Sequence, residues 1–149
     1  MKKVAFIFVM CLMALTVRAQ KCVVIDLQLG TNVTEEEADA CTYEFRSNFT
    51  PSNYNMIELE KINGVIDKLG YPRTTMTRQQ QREIGRRLEA KIMVIGTVSK
   101  FMDEYTLDVQ IIDVSTGTTI TSENATFQKS QYRRGVRSVA ERLIYNIQP

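Results

Sequence analysis

Hydrophobic positions change their spacing several times along this chain. Val4 to Val17 is an almost unbroken apolar run behind Lys2 and Lys3. It is shorter than the roughly 20 residues a bilayer requires. Val17, Arg18 and Ala19 then place small residues where a signal peptidase reads. The pattern predicts a cleaved signal peptide over 1–19 and a mature domain over 20–149 outside the cytoplasm.

Cys22 to Leu27 is a second, shorter apolar run, as expected of a strand buried on both faces. Gln28 to Val33 reads as a loop. Thr34 with Glu37 three residues later is a capping box, and Ala38, Cys41, Phe45 and Phe49 follow at helical spacing. A first helix from about Glu35 to Asn48, ended before Pro51, follows from that stripe. Asn53 to Leu59 reads as a second strand. Ile62, Val65, Ile66 and Leu69 form the next helical stripe, closed by Gly70. Thr77 with Gln80 repeats the capping box and opens a helix from about Arg78 to Ala90. Gly85 within it costs about 1 kcal/mol relative to Ala, so it marks close packing on the sheet.

The period then falls to two. Ile92 to Phe101, Tyr105 to Val114 and Thr118 to Phe127 are β-rich, and Tyr105, Leu107, Val109 and Ile111 alternate onto one face. Short links predict an antiparallel meander. The last stripe, Tyr132, Val136, Val139, Ala140, Leu143 and Ile147, predicts a helix from about Ser130 to Ile147. The order β-α-β-α-α-β-β-β-α predicts one mixed α/β domain. Its five-stranded mixed sheet has parallel early strands, joined by right-handed crossovers, and helices packed on it.

Composition narrows the chemistry. The 149 residues are 44% apolar, enough for one core. The absence of His excludes Ser-His-Asp and Cys-His catalysis, and three Cys without a CxxC pair argue against structural zinc. Gly30 and Gly96 are isolated and no phosphate loop is present, so no cofactor is expected. Formal charge is +2, falling to −1 once Lys2, Lys3 and Arg18 leave with the leader. That near-neutral total argues against a nucleic-acid binder.

Several side chains remain as candidates. Asp26 closes the first strand, where open α/β sheets bind ligands, and it could serve as a functional carboxylate or merely cap the loop. With Gln28 and Asn32 it forms a possible ligand-binding group at the strand ends. Cys22 and Cys41 could form a disulfide in an oxidising compartment, although Cys41 lies on the apolar stripe of its helix. Cys22 could instead carry a lipid, but Ala19, Gln20 and Lys21 make a poor lipobox. Arg78, Arg82 and Arg86 line one helix face and Arg133, Arg134 and Arg137 another. Such faces are ordinarily solvated; an acidic protein or a cell-wall polymer is the sharper reading.

The apolar strand Val23 to Leu27, the helix opening at Thr34, the segments Asn55–Tyr71 and Glu83–Gly117 and the closing amphipathic helix resemble one superfamily. It is that of the curli-secretion channel (CsgG-like), which includes the penicillin-binding-protein activator lipoproteins and is similar in fold to the TolB amino-terminal domain. Gly96 to Lys100 and Asp113 to Gly117 are the most specific strings. The resemblance implies a non-enzymatic envelope protein, a secretion-apparatus or cell-wall-synthase accessory acting through protein contacts. Its partners would be envelope proteins or further copies of itself, and it would hold a membrane only peripherally or through Cys22. The late links are too short for the spanning hairpins of the pore-forming members. Two other functions stay open: small-ligand or glycan binding, and a hydrolase using Asp26.

Overall fold

In the computed structural model, residues 19–149 are described, so the leader expectation lies, apart from Ala19, outside the described residues. The chain runs β1 (Gln20–Val24), β2 (Gln28–Leu29), α1 (Glu35–Asn48), β3 (Tyr54–Met56), α2 (Leu59–Leu69), α3 (Arg78–Arg87), β4 (Ile92–Phe101), β5 (Glu104–Asp113) and β6 (Thr119–Gln128). A single 3-10 turn, Lys129–Gln131, then leads into α4 (Tyr132–Ile147).

The sheet is mixed, in the order β3-β1-β4-β5-β6, with β2 paired to β4 beside that path. β1 runs parallel to β3 and β4, whereas β4, β5 and β6 form the expected antiparallel meander. The sheet has six strands rather than five, because part of the expected loop after β1 pairs with Thr97 and Val98. Gly30 permits this approach: its amide donates to the Val98 carbonyl at 2.8 Å, and a Cβ there would lie 2.6 Å from that oxygen. β1 also begins two residues before the expected Cys22 and ends three before the expected Leu27. Ile25 still donates to Val94 O at 3.1 Å, but Asp26 turns to two arginines and the ladder lapses.

Helix boundaries follow local chemistry. Thr34 and Glu37, then Thr77 and Gln80, complete both capping boxes. Gly70 takes the left-handed conformation after α2, with φ 65°. α3 stops at Arg87, before the expected Ala90, because Glu89 is left-handed at φ 56°.

Apolar positions divide between the two faces of the sheet. Cys22, Val24, Val94, Leu107, Val109 and Ile111 pack under α1 and α4, with Phe45, Val139 and Leu143. Val23, Ile25, Met93 and Ile95 pack under α2 and α3, with Ile62, Ile66 and Ile84. Gly85 touches the β5–β6 connection at close range: a Cβ there would lie 3.1 Å from Val114 Cγ2. Gly135 is tighter, for its Cβ would fall 2.2 Å from the Phe127 ring.

Candidate functional site

The strand-end group comes together only in part, and its polar atoms are used internally. Asp26 is 6% exposed. Its carboxylate meets Arg46 at 2.9 Å and Arg73 at 3.8 Å. Gln28 donates to the carbonyls of Asp26 and Arg73 and accepts from the Met76 amide. Asn32 sits apart, exposed in a left-handed turn at φ 57°. Asp26 and Gln28 therefore tie β1 to α1 and to the α2–α3 connection. A carboxylate this enclosed, with a guanidinium group on each side, has no open side for a nucleophilic or proton-transfer role.

The arginine faces also separate by role. Arg78 donates to Gln110, Thr119 and the Gly117 carbonyl, and Arg82 donates to the carbonyls of Val114 and Ser115. Both latch α3 to the β5–β6 turn. Arg86 is exposed beside that latch. On α4, Arg137 donates to Asn48 at 3.2 Å, while Arg133 approaches Glu44 only to 4.0 Å and is 87% exposed. Arg134 pairs with no described residue and lines a cavity beside the start of α4.

That cavity, about 690 Å³, lies between α1, the start of β5 and the start of α4. Glu37, Ala40, Tyr105 and Tyr132 form its wall, and Lys129, Arg133 and Arg134 its rim. Glu37 is there because the capping box fixes it at the third position of α1. One of its carboxylate oxygens accepts from Lys100 Nζ at 2.8 Å and the Tyr105 hydroxyl at 2.7 Å; the other accepts from the Thr34 amide at 3.1 Å. The Lys100 bond, the Thr34 amide and the Tyr105 hydroxyl together pull the Glu37 carboxyl from 4.5 to about 2. Burial, then the Glu37 carboxylate, raises the Tyr105 phenol. Tyr132 packs edge-on to Tyr105 at 5.8 Å and to Phe127 at 5.9 Å. Burial, followed by the neighbouring Cys41, raises the Tyr132 phenol well above its ordinary range.

Cys22 and Cys41 are buried in one cluster, and both thiols are free rather than joined in the disulfide they could form. Burial pushes the Cys22 thiol up to about 12 and the Cys41 thiol up to about 11. A lipid on Cys22 would have to leave from a fully enclosed position in β1. Among the described residues, no helix is long and apolar enough to cross a membrane.

The cavity joins Arg133 and Arg134, already marked by their charge, to Glu37 and Tyr105, which the sequence marked only as a capping residue and a strand-face position, and to Lys129, which it did not single out. One local signal pointed there: α4 opens on two arginines, with no acid in its first turn and no side-chain cap.

Compared as a sequence, the chain matches no protein-family model and no curated protein. Compared as a structure, it matches several solved proteins. The LpoB C-terminal domain from Salmonella enterica aligns with a TM-score of 0.58 and 20% identity, over 80% of this chain and 90% of that one. The chain has the fold of that domain. Lipoprotein GNA1162 from Neisseria meningitidis aligns with a TM-score of 0.62 and 8% identity, over 86% of this chain and 99% of that one. TolB from Acinetobacter baumannii aligns with a TM-score of 0.59 and 13% identity, over 88% of this chain and 29% of that one. At these identities the likeness establishes fold, and function has to be argued from the site. The LpoB and TolB likenesses bear on those parts of the sequence resemblance and not on its curli-secretion-channel part.

Proposed function

We propose that this protein is a non-enzymatic accessory of the cell envelope that works by contacting other proteins. Within that class we favour a role beside cell-wall synthases, in the manner of the penicillin-binding-protein activators, over a role in a secretion apparatus. The observation that carries the reading is the division of charge at the α4 cavity. Its one wall carboxylate, Glu37, is consumed by Lys100, Tyr105 and Thr34, while Arg134 on the rim is free among the described residues. Such a surface can hold a partner, yet it offers no free base and no activated nucleophile.

Two further observations support it. Asp26, the acid a hydrolase would need, is committed to Arg46 and Arg73. The β4–β5 link is Met102–Asp103, too short for a membrane-spanning hairpin of about 9 to 11 residues per strand. The proposal takes the protein as an adaptor outside the cytoplasm, held at the outer membrane peripherally if at all. Arg133, Arg134 and Arg137 are its leading contact residues.

The test uses the purified mature protein and a panel of purified bifunctional penicillin-binding proteins from the same organism. Saturable binding to at least one, weakened by salt and by Arg134→Glu, is the expected result. Failure of every synthase to bind at low salt would overturn the role beside cell-wall synthases.

A further inference from the structure

Resting on that reading, we propose that the occupant of the α4 cavity is an acidic segment of the partner protein. Its carboxylates would seat against Lys129, Arg133 and Arg134, and an adjoining apolar side chain would lie on Ala40 and Tyr132.

The charge balance is the main argument. Elsewhere most arginines are engaged: Arg46 and Arg73 with Asp26, Arg87 with Glu83, Arg142 with Glu123. At the cavity Lys129 and Arg134 have no acid partner among the described residues, Arg133 keeps only a 4.0 Å contact with Glu44, and Glu37 is spent on Lys100. The opening of α4 compounds this. α1 begins with Glu35, Glu36 and Glu37, and α3 with a capping box, as helix polarity favours. α4 instead sets Arg133 and Arg134 at its positive end. A local rule broken without compensation inside the chain is what a binding site produces, and an incoming carboxylate supplies the missing compensation.

Size and polarity exclude a bare ion. About 690 Å³ accommodates several side chains. The wall is partly apolar, and the rim continues onto the β4–β5 tip, where the Lys129 amide donates to the Asp103 carbonyl at 3.1 Å. At that tip Phe101 is 68% exposed and Met102 79%. An apolar ledge beside a small basic rim fits a peptide with mixed side chains. A long polyanion would require a more basic protein than one of formal charge +2 over the full chain and −1 without Lys2, Lys3 and Arg18.

Three synthetic peptides of one length test this by calorimetry and by amide chemical shifts of the mature protein. One alternates Asp or Glu with Phe and Leu; the second replaces its acids by Asn and Gln; the third replaces them by Lys. Short-chain polyphosphate is the fourth probe. The acidic peptide alone should bind saturably and shift residues 129–134. The double substitution R133E/R134E should weaken it by about tenfold or more and confer binding of the Lys peptide. R133Q/R134Q provides the same test without charge reversal, and the shift spectrum reports directly whether either variant is folded. Equal binding of the amide peptide, shifts confined to another surface, or polyphosphate binding where the acidic peptide does not would each overturn the proposal. The outcomes separate from those of the preceding section. A synthase that binds the R133Q/R134Q protein as well as the native one sinks the cavity assignment and spares the accessory role. Peptide binding with no synthase binding does the reverse.

Discussion

Arg46 reaches Asp26 across 2.9 Å with the same guanidinium nitrogen that donates to the Val24 carbonyl at 2.7 Å. One side chain of α1 thereby closes the end of β1 and neutralises its buried acid. Removing the acid leaves Arg46 partly buried and without its counterion, a change that costs about 3 kcal/mol in comparable settings. Asp26→Ala should lower stability by that order in urea denaturation while leaving partner binding intact in the folded protein. A midpoint unchanged from the native chain would show that the pair contributes nothing.

The α4–sheet contact makes a second prediction. Gly135 packs so closely on Phe127 that an added Cβ would fall 2.2 Å from one ring carbon and 2.3 Å from another. The ring is held by Tyr105 and Tyr132 at 6.3 Å and 5.9 Å and cannot swing freely. Gly135→Ala gains helix propensity and loses packing, and overpacking of this kind costs about 1–3 kcal/mol. Thermal unfolding should show a lower midpoint. A variant as stable as the parent would mean that the helix lifts from the sheet without cost.

Much of this architecture was legible in the chain because its signals are local. The capping boxes at Thr34 and Thr77 each lie within four residues, and the Tyr105/Leu107/Val109/Ile111 alternation within seven. The pairing of Gln28 and Leu29 with β4 carried no such signal, since two residues establish no period. The roles of Asp26, Arg78 and Arg82 were hidden for a different reason. Asp26 is paired by Arg46 and Arg73, which other elements bring from far along the sequence. Arg78 and Arg82 look solvated on a helical wheel, yet they meet a hairpin turn more than 30 residues away. The cavity was half legible: its arginines showed as charge, but its wall exists only because α1, β5 and α4 converge.

The thiols provide a third prediction. Cys22 and Cys41 are both fully buried, and burial raises them to about 12 and about 11. Thiolate is the reactive form, so at pH 8 the native protein should resist iodoacetamide for hours and take up label at both sites only in denaturant. Intact mass after timed alkylation reads this directly. Rapid native labelling of Cys22 would show that β1 opens far more readily than its packing indicates.

Glu37 makes the stability of the fold depend on pH in the acid range. Its carboxyl falls from 4.5 to about 2, first through Lys100, then through the Thr34 amide and the Tyr105 hydroxyl. A depressed folded value means that the charged form is stabilised in the native state, so the contribution is complete above about pH 4.5. It is lost as pH falls through that value toward about 2, where the folded protein also binds the proton. Asp113, lowered by Lys91, Ser115 and the Thr116 amide, acts in the same direction. Glu37→Gln keeps a side chain that can complete the capping box, as Gln80 does for α3, but removes the charge facing Lys100. The stability difference between native protein and Glu37→Gln should therefore be largest at neutral pH, shrink between about pH 4.5 and 2, and vanish below. Urea melts at half-unit pH steps measure it. A difference independent of pH would mean that Glu37 contributes through shape alone and that its ion pair adds nothing.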